Sequence, residues 1–154
     1  MVRGRAGAGL VLCLLAGCGG ELKPVPHVDL TVVQNTPEVR FPETNLVKTQ
    51  PVDRELMGKA FMPGGRLATY KKGAVEYRMF AARLGSPMDA AILLPDWRKA
   101  LTGAKLVPSF GGYFGMDAGT PVFVFAKDRW IAGVAGLPLR QADAEARALA
   151  AQLR

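Results

Sequence analysis

Few residues of this 154-residue chain are equipped for covalent or acid–base chemistry, and their positions decide what remains. The thiols are Cys13 and Cys18, and the single histidine is His27, set between Pro24, Pro26 and Pro37. A histidine in a proline-rich tether supplies no base to a folded site. A serine–histidine–acid triad and a multi-histidine metal centre therefore both lack their key residue. From residue 64 onward the carboxylates are Glu76, Asp89, Asp96, Asp117, Asp128, Asp143 and Glu145. Two that face each other across a cleft can hydrolyse a glycoside. Five have structural uses instead: Asp89, Asp143 and Glu145 as helix-start acids, Glu76 on an exposed strand face, Asp128 in a turn. Asp96 and Asp117 remain, with no spacing that makes them a pair. The expectation is a protein that is not an enzyme and holds no cofactor or metal.

Cys18 is the exception, because of what precedes it. Arg3 and Arg5 form a basic head, residues 6–15 are small or apolar, and Ala16 and Gly17 lead into the thiol, the layout of an export signal. The apolar run is about ten residues, half of the roughly twenty that a spanning helix needs, so a cleaved signal is expected rather than a membrane span. Leu15-Ala16-Gly17-Cys18 resembles the lipobox of bacterial lipoproteins. The resemblance implies cleavage between Gly17 and Cys18 and acylation of the Cys18 thiol. Small residues at 16 and 17 let an extended backbone enter a protease cleft. Each lipid methylene buried in a bilayer contributes about 0.8 kcal/mol, so two or three acyl chains hold effectively permanently. In that class an aspartate after the cysteine favours inner-membrane retention. Gly19 and Gly20 stand there instead, which implies the outer membrane, facing the periplasm, in a Gram-negative cell. The alternatives are an ordinary secretory signal with an incidental Cys18, and a cytosolic chain.

Loss of residues 1–17 would remove Arg3 and Arg5 and lower the formal charge by two from +7. A basic exported protein meets anionic envelope material, phospholipid head groups or acidic polymers, more readily than nucleic acid. Its lysines and arginines are scattered among acids, with no dense cluster interleaved with aromatics, so nucleic acid is not an expected partner. Solubility accounts for the same charge. With Cys13 in the signal and Cys18 at the lipidation site, no disulfide is available, and the fold must stand on its own core.

The elements follow from proline, glycine and apolar periodicity. Residues 18–63 carry Pro24, Pro26, Pro37, Pro42, Pro51 and Pro63 and read as a tether, with a strand-like stretch at 28–33 that could add to a sheet edge. The domain is expected to begin at Gly64-Gly65 and run to 154. Residues 66–70 and 74–83 read as strands about the turn Lys71-Lys72-Gly73. In the second strand Val75, Tyr77, Met79 and Ala81 share one face, while Glu76 and Arg78 share the other, a half-buried pattern. Ser86-Pro87-Met88-Asp89 starts a helix that Pro95 should kink or divide and Gly103 should end. Residues 105–108 form a short strand. Residues 120–125 and 129–134 form a hairpin whose first strand, covered on both faces, is the expected sheet centre. Residues 138–153 form a closing helix with the stripe Ala142, Ala146, Leu149 and Leu153. The fold class is α+β, an antiparallel sheet of four or five strands packed by two helical segments in the order β-β-α-β-β-β-α.

Residues 109–119 join four glycines to Phe110, Tyr113 and Phe114. That mixture suits a binding loop or a bent, bulged strand, and lacks the lysine of a phosphate loop. Phe110, Tyr113 and Phe114 are the candidate binding residues. Trp97 and Trp130 fit a core more readily than an aromatic surface. The favoured function is a non-enzymatic, membrane-anchored envelope lipoprotein presenting a small interaction domain to a protein or anionic envelope polymer. The alternative is a carrier of a small ligand or lipid, with an apolar pocket between helix and sheet.

Overall fold

The computed structural model describes residues 38–154. Strands β1 (Leu46–Arg54), β2 (Pro63–Lys72) and β3 (Val75–Arg83) form a meander that leads into helix α1 (Pro87–Ala100). A second meander follows, β4 (Thr102–Val107), β5 (Gly112–Asp117), β6 (Thr120–Lys127) and β7 (Trp130–Ala135), and α2 (Leu139–Gln152) closes the fold. All pairings are antiparallel, in the order β1-β2-β3-β7-β6-β5-β4. The α+β class and both helices are as expected, but the sheet has seven strands rather than four or five.

One added strand, β1, lies in the stretch read as tether. Proline excludes a helix there but not an edge strand: Pro51 sits in outermost β1, and Pro63 is the first residue of β2. The folded chain thus includes residues well before Gly64, and Phe41 is already buried. Gly64 and Gly65 are not a boundary but a close approach inside β2. A Cβ on Gly64 would run into the Asp53 carbonyl, and one on Gly65 would fall 2.9 Å from Leu56 Cδ2. The stretch at 28–33 lies outside the described residues.

Alternation within the central strands builds two cores. Tyr70, Tyr77, Met79, Phe123, Phe125 and Val134 face α2, whose Ala142, Ala146, Leu149 and Leu153 are buried as the stripe requires. Phe80, Val122, Val124 and Ile131 face α1, where Trp97 and Leu101 join Leu56 and Met62 from the β1–β2 connection. β3 is half-buried only at its start, where Glu76 and Arg78 are exposed; from Met79 to Ala82 both faces are covered. The centre of the sheet is β7, buried at every position, with doubly covered β6 beside it.

Ser86 caps α1, its hydroxyl accepting from the Asp89 amide at 3.1 Å. The helix runs unbroken through Pro95 rather than splitting. Pro95 and Ala91 both lie on its exposed side, so the carbonyl left without a donor meets water. Gly103 does not end the helix: with φ +63° it sits inside β4, where the pairing with β5 shifts register. In α2 neither Asp143 nor Glu145 lies in the first turn. Asp143 instead accepts from Arg147 Nε at 2.9 Å. Lys127 Nζ donates to the Ala150 and Leu153 carbonyls at 2.6 and 3.2 Å, and Trp130 Nε1 donates to the Arg154 carbonyl at 3.1 Å, tying the helix end to the sheet.

Gly133 in β7 is required by packing. A Cβ there would meet the Phe123 carbonyl oxygen and lie 2.5 Å from Phe80 Cζ. Gly133→Ala is expected to lose about 2–3 kcal/mol in urea unfolding. Gly73→Ala, with φ +61° but open space around its Cβ, should lose about 1 kcal/mol. Equal losses would contradict the packing argument.

Candidate ligand groove beside the closing helix

The β2–β3 hairpin and α2 leave a groove of about 460 Å³ that opens to solvent. Lys72, Val75 and Tyr77 line it from the hairpin; Leu137, Gln141, Ala144 and Glu145 line it from α2 and its approach. Strand alternation turns Tyr77 inward, and its position near the hairpin end brings the residue to the groove wall. Helical spacing sets Gln141 and Glu145 one turn apart on one side of α2.

Tyr77 is 3% exposed, and its buried hydroxyl, without a short hydrogen bond, lies within reach of the Glu145 carboxylate. Its ring stacks on Tyr70, centroids 4.9 Å apart and planes 10° from parallel. The two phenols differ in one respect: the Tyr70 hydroxyl donates to the Pro42 carbonyl at 2.9 Å. Burial, with Glu145 adding to it, pushes the Tyr77 hydroxyl up to about 12. Burial, then Tyr77 and Glu145, raises Tyr70 as well. At neutral pH Tyr77 is therefore a protonated donor and acceptor rather than a base.

A second cleft, of about 500 Å³, lies on the α1 face with Leu67, Arg78 and Val122 among its lining. Around it Glu55, Met57 and Ala118 hold positive φ of 54°, 61° and 47°. Lys59 Nζ pairs with Asp117 Oδ1 at 2.6 Å and lies 5.9 Å from the Trp97 ring centroid. Asp96 lies 3.8 Å from Lys99 Nζ. Both carboxylates left without a role by the sequence are thus engaged by lysines.

The glycine–aromatic segment is a turn and strand β5 rather than a loop, and its aromatics do not share one surface. Phe110 lies in the turn against Phe123 and Phe125, at 5.5 and 4.5 Å, with the Arg147 guanidinium 5.3 Å above its ring. Phe114 packs towards the same core, whereas Tyr113 lies on the α1 side with Arg98 5.8 Å from its ring. Gly112 and Gly115 serve close packing: a Cβ on Gly112 would strike the Val124 carbonyl, and one on Gly115 would fall 2.9 Å from Leu101 Cβ. Trp97 and Trp130 are buried, and Trp97 Nε1 lies 3.2 Å from Met62 Sδ. Gly17 and Cys18 lie outside the described residues.

Tyr77 and Glu145 escaped the sequence reading because each had an adequate structural use, inward strand residue and helix acid. The available signal was a tyrosine at an inward position close to a hairpin end, whose hydroxyl must find a partner at the rim. No family model matches the chain, and no curated protein or solved structure matches it either.

Both phenols favour their protonated form in the folded state, so their contribution to stability is complete below about pH 10, the unfolded value. It falls as pH rises towards the folded value of about 12 for Tyr77. Urea midpoints measured from about pH 9 to 12 should drop for the wild type and drop less for Tyr70→Phe/Tyr77→Phe. An unchanged slope would contradict the burial of these hydroxyls.

Proposed function

We propose that the chain is a membrane-anchored envelope lipoprotein, held through Cys18, whose domain presents the Tyr77 groove to a component of the envelope. The observation that carries the binding role is the open groove itself, which brings Lys72, Glu145 and the buried Tyr77 together with the apolar Val75 and Leu137. The role is binding rather than catalysis: the groove offers one carboxylate, one lysine and a phenol too weakly acidic to act as a base at neutral pH. The anchor rests on Leu15-Ala16-Gly17-Cys18 behind its basic head, with the periplasmic face of an outer membrane as the destination.

Two features of the domain support this division of labour. Phe41 is already buried in the core, so the domain begins well ahead of residue 63, where a tether was expected to end. The groove lies between closing helix and sheet, where a carrier's pocket was expected, yet Ala142, Ala146, Leu149 and Leu153 are at most 1% exposed. Close packing beneath the helix favours a ligand read at the rim over a lipid enclosed in the core.

Cells expressing Cys18→Ala and fed a labelled fatty acid should incorporate no label into this chain, and the protein should leave the membrane fraction. Continued labelling, or unchanged membrane association, would overturn the anchor.

A further inference from the structure

We infer that the outer side of α1 is the contact for a second copy of this chain, two α1 helices packing antiparallel about a two-fold axis between Leu93 and Leu94. The inference concerns the face of the sheet opposite the groove and depends on neither the binding role nor the anchor proposed above.

Between Asp89 and Asp96 the helix reads Ala90-Ala91-Ile92-Leu93-Leu94-Pro95, with no polar side chain. That run exceeds one full turn, so this part of α1 is apolar on every side, and helices of that kind are covered on every side. Here the sheet covers one side only. Ala90 and Trp97 are buried and Leu93 and Leu94 half-buried, whereas Met88 is 67% and Ile92 57% exposed, with Ala91 and Pro95 exposed beside them. Helical spacing puts positions 88, 91, 92, 95 and 99 on one stripe, about 16 Å long at 1.5 Å per residue. Nothing among the described residues lies over it. Leu106, 56% exposed, is opposite Tyr113 in register and so adds apolar area on the same side of the sheet. The exposed side of α2 carries Arg140, Gln141, Arg147 and Gln152 instead.

Charge decides the occupant. Asp89 lies in the first turn of α1, and Arg98 and Lys99 lie in the last. An anionic bilayer surface would gain the two bases but repel Asp89 and Asp96, and helices that lie on lipid are flanked by lysine and arginine along their length. A second α1 running the opposite way matches both ends. With the axis between Leu93 and Leu94, Asp89 faces Arg98 of the second copy, Met88 lies along its Lys99 stem and Ile92 meets its Pro95, and symmetry makes each contact twice. Asp96 is already held by Lys99 of its own helix, at 3.8 Å. One helix face is a small interface, so association of micromolar order is expected.

Sedimentation equilibrium of the full-length chain, in a detergent matched to the solvent density, should show monomer and dimer in exchange between about 1 and 100 μM. Ile92→Asp places a charge near the axis and should weaken the dimer at least about tenfold. Its urea midpoint, measured at a dilution where the wild type is also monomeric, should equal that of the wild type, because Ile92 is exposed in the single chain. Asp89→Lys and Arg98→Asp should each weaken self-association about tenfold, and an equimolar mixture of the two should dimerise within about threefold of the wild type, since the mixed dimer again sets an acid against a base at both ends. A mixture that does not recover would overturn the antiparallel arrangement. A chain that stays monomeric at about 0.5 mM would give the stripe to another occupant, lipid or a different protein, and overturn the inference, as would a dimer indifferent to Ile92→Asp.

Discussion

The pairing of β3 with β7, from Arg78 opposite Ala135 to Arg83 opposite Trp130, is the contact on which the architecture depends. It joins two meanders that are distant in sequence into one sheet, and it places β7 in the middle. A strand in that position has neighbours along both edges and must be covered above and below. Its six residues are small or apolar almost throughout, and Gly133 is present because the Phe80 ring occupies the space a side chain would take. Phe80 in turn stacks on Trp97, centroids 5.5 Å apart, so the same close approach that closes the sheet also seats α1. On the opposite face the Tyr70–Tyr77 stack meets α2, and there the groove opens.

What could be read from the residues alone follows from how local each signal is. The cap at Ser86, the hairpin around Asp128 and the four-residue stripe of α2 depend on neighbours a few positions away, and all three are present as expected. β1 was concealed because proline argues equally for a tether and for an outer strand, and only a partner such as β2 distinguishes them. β5 was concealed by glycines whose purpose is clearance from Val124 and Leu101, residues that no local pattern connects to them. Phe110, Tyr113 and Phe114 looked like a surface because their alternation could be seen while the two cores that receive them could not. The groove was illegible for a related reason. Neither Lys72 nor Glu145 is distinctive, and Tyr77 becomes so only when α2 is seen to bring Glu145 beside its buried hydroxyl.

Two ionic and polar devices hold the periphery without entering the core. Lys59, from the connection between the first two strands, reaches Asp117 beside the β5–β6 turn, tying one meander to the other away from their shared strand pair. Lys127 and Trp130 hold carbonyls at the end of α2, which keeps the helix stripe in register with the strands beneath it. Both use a lysine whose head remains partly accessible, so its stem adds apolar cover as well as hydrogen bonds.

The Tyr70 hydrogen bond to the Pro42 carbonyl also has a mechanical meaning. Pro42 lies just ahead of β1, an outermost strand that an end-on pull could peel from the sheet one hydrogen bond at a time. Phe41, buried in the core, and the Tyr70 clasp stand between that strand and any load applied to the chain before Glu38. Tension arriving from the amino-terminal side must first extract an aromatic ring and break a partly buried hydrogen bond, which makes this short segment a strain relief for the sheet.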